Sequence, residues 1–252
     1  MPYRRLPNTD KARLTALQNA VQRASEADYS EQVLDYKTLQ ETHRFLMQFE
    51  TLVMQYHDNY QSKVSANKQY SKVVKTTRMY ISHFIQVLNM SVLRGEIKKD
   101  QRALYGLDPH NSVVPDLTTE EDLLFWGEKI IAGENERTSR GGFPIYNPTI
   151  NKVKVYYDIF KEQQMSHSFH KKNTTRAYEN VEQLRSQADA LIVNIWNKVE
   201  DYYKDSLPYK RLTQCKQYGV IYYYRSGEKR LTPETDRRIE MNKASQTSIQ
   251  WT

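Results

Sequence analysis

An all-α fold is predicted by two features of the sequence. Apolar residues recur at helical spacing over long tracts, and those tracts are bounded by capping residues and by Gly or Pro. Four amphipathic helices of this kind bury their stripes most simply in a four-helix-bundle-like arrangement of two long helical hairpins. To these the sequence adds an N-terminal helix, a short connecting helix and a C-terminal β-hairpin. The expected boundaries are one helical domain over 1–233, with hairpin one at about 31–95, a connection at 96–147, hairpin two at about 148–206 and a β-hairpin at 217–233. A flexible tail is expected at 234–252.

The first helix is expected after Pro7, where Asn8 or Thr9 can accept a hydrogen bond from a free N–H of the first turn, with Leu14, Leu17, Val21 and Ala24 on one side. Ser30 can cap the next. There Leu39, Leu46, Val53 and Tyr60 recur every seven residues, interleaved with Thr42, Phe49 and Tyr56, an a/d stripe. A break at Ser65 to Asn67 then separates a second helix that runs from Tyr70 through Val73, Thr77, Ile81, Phe84 and Leu88 to a stop near Gly95.

Gly106, Pro109 and Pro115 mark the connection. Thr118 and Glu121 form a capping box ahead of a short helix carrying Leu123, Trp126 and Ile130, and "GENERTSRGGFPIY" reads as a loop. Asn147 can cap and Pro148 suits the first position of the next helix, with Ile150, Val153, Tyr157 and Phe160 on its stripe. The last long helix spans about Thr174 to Asp205 and ends before Pro208. Tyr70 to Val73 laid on Tyr178 to Val181 also brings Asn89 onto Asn197, so two of these segments resemble each other.

The 252 residues carry 37 Lys and Arg against 30 Asp and Glu, a net charge of +7. The basic residues fall in separate doublets (Arg4-Arg5, Lys98-Lys99, Lys171-Lys172, Arg237-Arg238), which is the pattern of a solvated mixed surface more than of a nucleic-acid stripe. No run of about 18 apolar residues occurs, so no membrane span is expected. A single cysteine and an N-terminus without an apolar leader core point to a reducing, cytoplasmic setting.

The bundle invites a di-iron reading, but none of the residues three before the six histidines is Glu. His167 and His170 could share a helix face as metal ligands; without a third ligand, the alternative is histidines at a helix C-terminus, favoured there by the dipole. Neither Gly-x-Gly-x-x-Gly nor Walker A spacing occurs. Cys215 has no identifiable histidine partner and reads as a packed side chain. No cofactor and no catalytic residue is assigned.

Two segments carry the binding candidates. In "ERTSRGGFPIYNPT" they are Arg137, Arg140 and Tyr146, beside glycines that permit unusual backbone angles. The alternative is a connector in which Phe143 and Ile145 plug the end of the bundle. In "QYGVIYYYRSGEKRLTP" they are Tyr222, Tyr224 and Arg225, on an extended run in which Tyr218, Val220, Tyr222 and Tyr224 share one face.

Residues 130–158, "IIAGENERTSRGGFPIYNPTINKVKVYYD", together with "YGVIYYYRSGEKRLTP", resemble segments of uncharacterised all-helical hypothetical proteins of Bacteroidetes. The resemblance implies a bacterial, mostly helical protein and carries over no functional residue. The expected function is a non-catalytic interaction or scaffold role toward another protein, through Tyr and Arg. Nucleic-acid binding through basic doublets and exposed rings, and a hydrolase with a carboxylate pair assembled by folding, are the alternatives.

Overall fold

The computed structural model describes residues 2–27 and 32–249, the side chains of 243–249 excepted. The fold is all-α. Its elements are β1 (Tyr3–Arg4), α1 (Asp10–Glu26), α2 (Tyr36–Leu93), a 3-10 helix (Lys99–Tyr105), α3 (Glu120–Ser139), α4 (Ile150–Tyr202), α5 (Pro208–Gln217), β2 (Tyr222–Tyr223) and α6 (Pro233–Ile249). Residues Met1–Asp58 with Arg176–Thr252 make one compact unit, and Asn59–Thr175 make the other.

Each expected hairpin is instead one continuous helix. α2 runs for 58 residues through Ser65, Ala66 and Asn67, and α4 for 53 through Lys171, Lys172 and Asn173. None of these residues removes a backbone donor or clashes with the preceding turn, and their propensity costs are only about 0.7 kcal/mol each or less. His167 and His170 therefore sit inside a helix and not at its C-terminus.

In the first unit, α1, the start of α2, the end of α4 and α5 enclose a core of Leu17, Phe45, Phe49, Ile192, Ile195 and Trp196. Burial of each such side chain is worth roughly 1.5–3 kcal/mol. Thr9 caps α1 as expected, its hydroxyl accepting from Ala12 N–H at 3.2 Å. The proposed cap Ser30 lies outside the described residues; Asp35 accepts from Thr38 N–H at 3.3 Å just before α2 takes hold.

In the second unit, the rest of α2, the 3-10 helix, α3 and the first part of α4 enclose Ile81, Phe84, Leu88, Tyr105, Ile130, Val153 and Phe160. The α2 and α4 segments run antiparallel. Thr174 Oγ1 donates to Asn59 O at 3.1 Å, and Thr77 Oγ1 to Tyr156 O at 3.0 Å. α3 is capped one residue later than its sequence suggests, by Thr119 with Asp122. It also continues to Ser139, so Arg137 is helical where a loop was expected.

The chain order repeats. α1, α2 and the 3-10 helix are followed by α3, α4 and α5, and each series ends in a buried tyrosine, a glycine of positive φ and a buried aliphatic residue: Tyr105-Gly106-Leu107 and Tyr218-Gly219-Val220. The closing hydrogen bonds match. Gly106 N–H donates to Ala103 O and Leu107 N–H to Arg102 O, as Gly219 donates to Lys216 O and Val220 to Cys215 O. These are the bonds that satisfy the last carbonyls of a helix when the chain turns left-handed.

The β-structure is a two-stranded antiparallel pair, with Tyr3 opposite Tyr223 and Arg4 opposite Tyr222. Its second strand comes from the N-terminus and not from Lys229 to Leu231. Residues 234–249, expected to belong to a flexible tail, lie in α6, and Asp236 accepts from the N–H groups of Tyr209 and Lys210 at 2.9 Å each. Trp251 lies outside the described residues.

Candidate functional site

The second unit carries a buried polar cluster from which the candidate site is built. Glu134 and Arg137 lie one turn apart on α3 and are 0% and 2% exposed. Arg137 Nη2 donates to Glu134 Oε1 at 2.9 Å and to the carbonyl of Phe143 at 2.7 Å, while Nε donates to Tyr105 Oη at 2.8 Å. The Tyr105 hydroxyl donates to Glu134, whose Oε1 also accepts from Ile145 N–H at 2.9 Å. Burial, followed by the neighbouring Glu134 carboxylate, pushes the Tyr105 phenol far above its ordinary range. Burial opposes the charge on Arg137, but its bonds to Tyr105 and Glu134 outweigh that and raise its pKa.

This cluster fixes the chain that follows α3. Gly142 N–H donates to Arg137 O at 3.1 Å, and a Cβ on Gly142 would lie 2.8 Å from Arg137 Nη1, so the loop closes on a position that only glycine fits. With the Phe143 carbonyl and the Ile145 N–H both held, the intervening side chains are sorted. Ile145 is buried, whereas Phe143 and Tyr146 are 85% and 75% exposed. The plug reading thus holds for Ile145 and fails for Phe143.

A cleft of about 560 Å³ runs between this loop and the end of α2, lined by Val87, Ser91, Arg94, Glu96, Ile97, Lys98 and Gln101 on one side and by Gly142 to Asn147 on the other, with Arg137 at its base. Arg94 Nε donates to Glu96 at 2.6 Å, and Arg94 Nη2 to Ser91 Oγ at 3.2 Å. The Arg94 guanidinium holds the Glu96 carboxyl below its usual range. Glu96 is the cleft's only carboxylate, so the lining offers no pair of carboxylates for acid and base chemistry.

The six binding candidates from the sequence separate into two groups. Tyr146 lines the cleft. Arg137 touches it, with its guanidinium paired to Glu134. Arg140 is exposed and paired with Glu136 at 2.6 Å. In the first unit, Tyr222 donates its hydroxyl proton to Glu200 at 2.6 Å, and Tyr224 Oη accepts from Leu231 N–H at 3.3 Å. Arg225 lies over the ring of Tyr3, 5.9 Å from its centroid, and Tyr3 packs on Tyr223.

His167 stacks on Tyr70 at 4.6 Å and His170 meets the ring of Phe169 edge-on. Among the described residues no group of three His, Cys, Asp or Glu could hold a metal ion, and no helix is long and apolar enough to cross a membrane. Sequence reasoning missed Glu134, Tyr105, Arg94 and Lys98 as parts of the site. The one local signal was the spacing of Glu134 and Arg137, three apart on a helix. The chain matches no protein-family model, and no curated protein or solved structure is significantly similar to it.

Proposed function

We propose that this chain is a non-catalytic interaction protein that takes a segment of a partner protein into the cleft between the end of α2 and the loop 142–147. The observation that carries the reading is the exposure of Phe143 and Tyr146 on a loop whose backbone is pinned by Glu134 and Arg137. Two exposed aromatic rings on an otherwise free surface cost solvation. When their backbone is already ordered they bind without the entropy loss that a mobile loop suffers. Arg94 on the opposite wall is of a residue type enriched at such contacts.

A bacterial source and a cytoplasmic setting belong to the same proposal, supported by the lone, buried Cys215 and by the sequence resemblance. The test is photocrosslinking in the native host with benzoylphenylalanine at position 143, in nuclease-treated and untreated lysate. A discrete protein adduct, lost on Tyr146→Ala and unaffected by nuclease, is the expected result. Adducts that vanish with nuclease, or no adduct at all, overturn the proposal.

A further inference from the structure

We propose that a pocket in the second unit, where the start of α3 meets the middle of α4, binds a guanidino acid, a small molecule with a guanidinium at one end and a carboxylate at the other. The pocket has a volume of about 580 Å³, within the range of small-molecule sites, and is lined by Glu120 of α3 and by Gln164, His167, Ser168, Lys171 and Lys172 of α4. Glu120 accepts from Gln164 Nε2 at 3.0 Å, and among the described residues no cation is paired with it. Tyr70 is 4% exposed, and its hydroxyl is closed off from water with no hydrogen-bond partner. Burial, then the nearby Glu120 carboxylate, pushes that phenol far above its ordinary range. The Tyr70 ring stacks on His167 at 4.6 Å, so two of its neighbours, Glu120 and His167, belong to the lining.

What completes such a carboxylate and phenol is shown by the other half of the chain. Asp10 follows the Thr9 cap of α1 as Glu120 follows the Thr119 cap of α3. A guanidinium clasps Asp10: Arg185 Nε and Nη2 donate to its two oxygens at 2.9 and 2.8 Å. The third nitrogen, Nη1, donates to Tyr178 Oη at 3.3 Å, and the guanidinium lies 5.0 Å from the centroid of that ring. In the second unit no arginine takes this place. Arg78, which also reaches the start of α3, donates instead to the carbonyls of Leu117 and Thr118 at 2.8 Å each. A planar fork of N–H donors from outside supplies to Glu120 and Tyr70 what Arg185 supplies to Asp10 and Tyr178.

The rest of the lining sets the other end of the ligand. Lys171 and Lys172 pair with no carboxylate among the described residues, so together with Glu120 they leave the pocket a positive balance that a bare cation does not suit. Lys171 lies two turns along α4 from Gln164, about 10.5 Å, and helical side chains lean toward the N-terminus. Both ammonium groups therefore reach a carboxylate held a few methylenes away from the guanidinium. The exposed side chains of Met165 and Phe169 offer apolar contact to that stem.

The test is a titration of the full chain with 4-guanidinobutyrate, followed by amide NMR. Saturable shifts centred on Glu120, Gln164, Ser168 and Lys171 are expected. Glu120 is exposed, so Glu120→Gln keeps the fold, and it is expected to weaken binding about tenfold, as the loss of a charge-assisted bond does. Tyr70→Phe, which keeps the ring, is expected to weaken it several-fold. Lys171→Ala combined with Lys172→Ala is expected to weaken 4-guanidinobutyrate about tenfold without reducing the already weaker binding of n-butylguanidinium, which has no carboxylate. 4-Aminobutyrate, with the same charges but no planar fork, is expected to bind more weakly than 4-guanidinobutyrate. The absence of saturable shifts at the pocket, undiminished affinity in Glu120→Gln, or n-butylguanidinium binding as tightly as 4-guanidinobutyrate overturns the proposal.

Discussion

Arg137 and Glu134 form a two-pronged ion pair one turn apart on α3, with both side chains closed off from water. Such a pair adds little net stability over an apolar pair of the same volume, because both charges lose their hydration. Its consequence is positional. The paired atoms themselves, Arg137 Nη2 and Glu134 Oε1, also hold Phe143 O and Ile145 N–H, which orients the exposed rings of the loop. Removing one charge strands the other: Glu134→Gln is expected to cost about 3–5 kcal/mol in urea unfolding, whereas Glu134→Leu combined with Arg137→Met recovers much of that stability. Partner capture through Phe143 is lost in both variants, so stability and binding separate.

Gly142→Ala tests the pinned loop without touching a charge. The new methyl would sit 2.8 Å from Arg137 Nη1 and 2.9 Å from Arg137 O, and the second of these is backbone that cannot swing aside. A loss of about 1–3 kcal/mol is expected, the range for forcing a group into a packed site. Hydrogen exchange at Gly142 and Ile145 is expected to rise by a larger factor than in the core of the first unit.

The all-α class was legible because helical periodicity and caps are local, and Thr9 and Gly95 act as their neighbours suggested, whereas Pro208, expected to stop the last long helix, opens α5. The hairpins were not. Ser65 and Asn67 look like punctuation, yet a helix ends only where its backbone bonds fail or a better alternative exists, and half-buried Lys63 and Ala66 carry the inward face on to Tyr70. The partner of β2 was invisible because Tyr3 and Arg4 lie at the far end of the chain. Within the site, Tyr146 and Arg137 were both singled out, but nothing local shows that Tyr105 and Glu134 converge on the Arg137 guanidinium. The repeat was half legible: similarity in the long helices pointed to it, and the matched Tyr-Gly turns make it plain.

Acid stability gives a check on the first unit. The Asp35 carboxyl is lowered from its ordinary 3.8 to about 2, first by the hydrogen bond from Lys198 and then by Thr38. A carboxyl with a depressed folded-state pKa contributes stability that is fully present above its unfolded value and is lost as pH falls through the folded value. The window is therefore from about pH 4 down to about pH 2. Because Asp35 is about half exposed, solvent screens the pair and the effect is small. Asp35→Asn is expected to flatten that part of the acid limb in a pH series of urea midpoints and to leave the slope near neutrality unchanged.

The attachment of α6 gives the last prediction. Asp236 is buried, and both its oxygens accept from the first N–H groups of α5, those of Tyr209 and Lys210. Pro208 at the start of α5 has no N–H to offer, and Leu207 before it makes no side-chain cap, so a carboxylate from another helix fills the role of a capping residue. The charge also faces the positive end of the α5 dipole. Beyond this anchor, α6 offers little else to hold it: among its residues with described side chains, Asp236 is the only buried one. Asp236→Ala is therefore expected to cost about 0.5–2 kcal/mol, the range for a lost cap. It is also expected to raise hydrogen exchange across the first turn of α5 and along α6, with exchange in the second unit unchanged. Asp236→Asn, which retains one accepting oxygen, is expected to fall between the two. If exchange along α6 stays unchanged in Asp236→Ala, the helix is held by something other than this carboxylate.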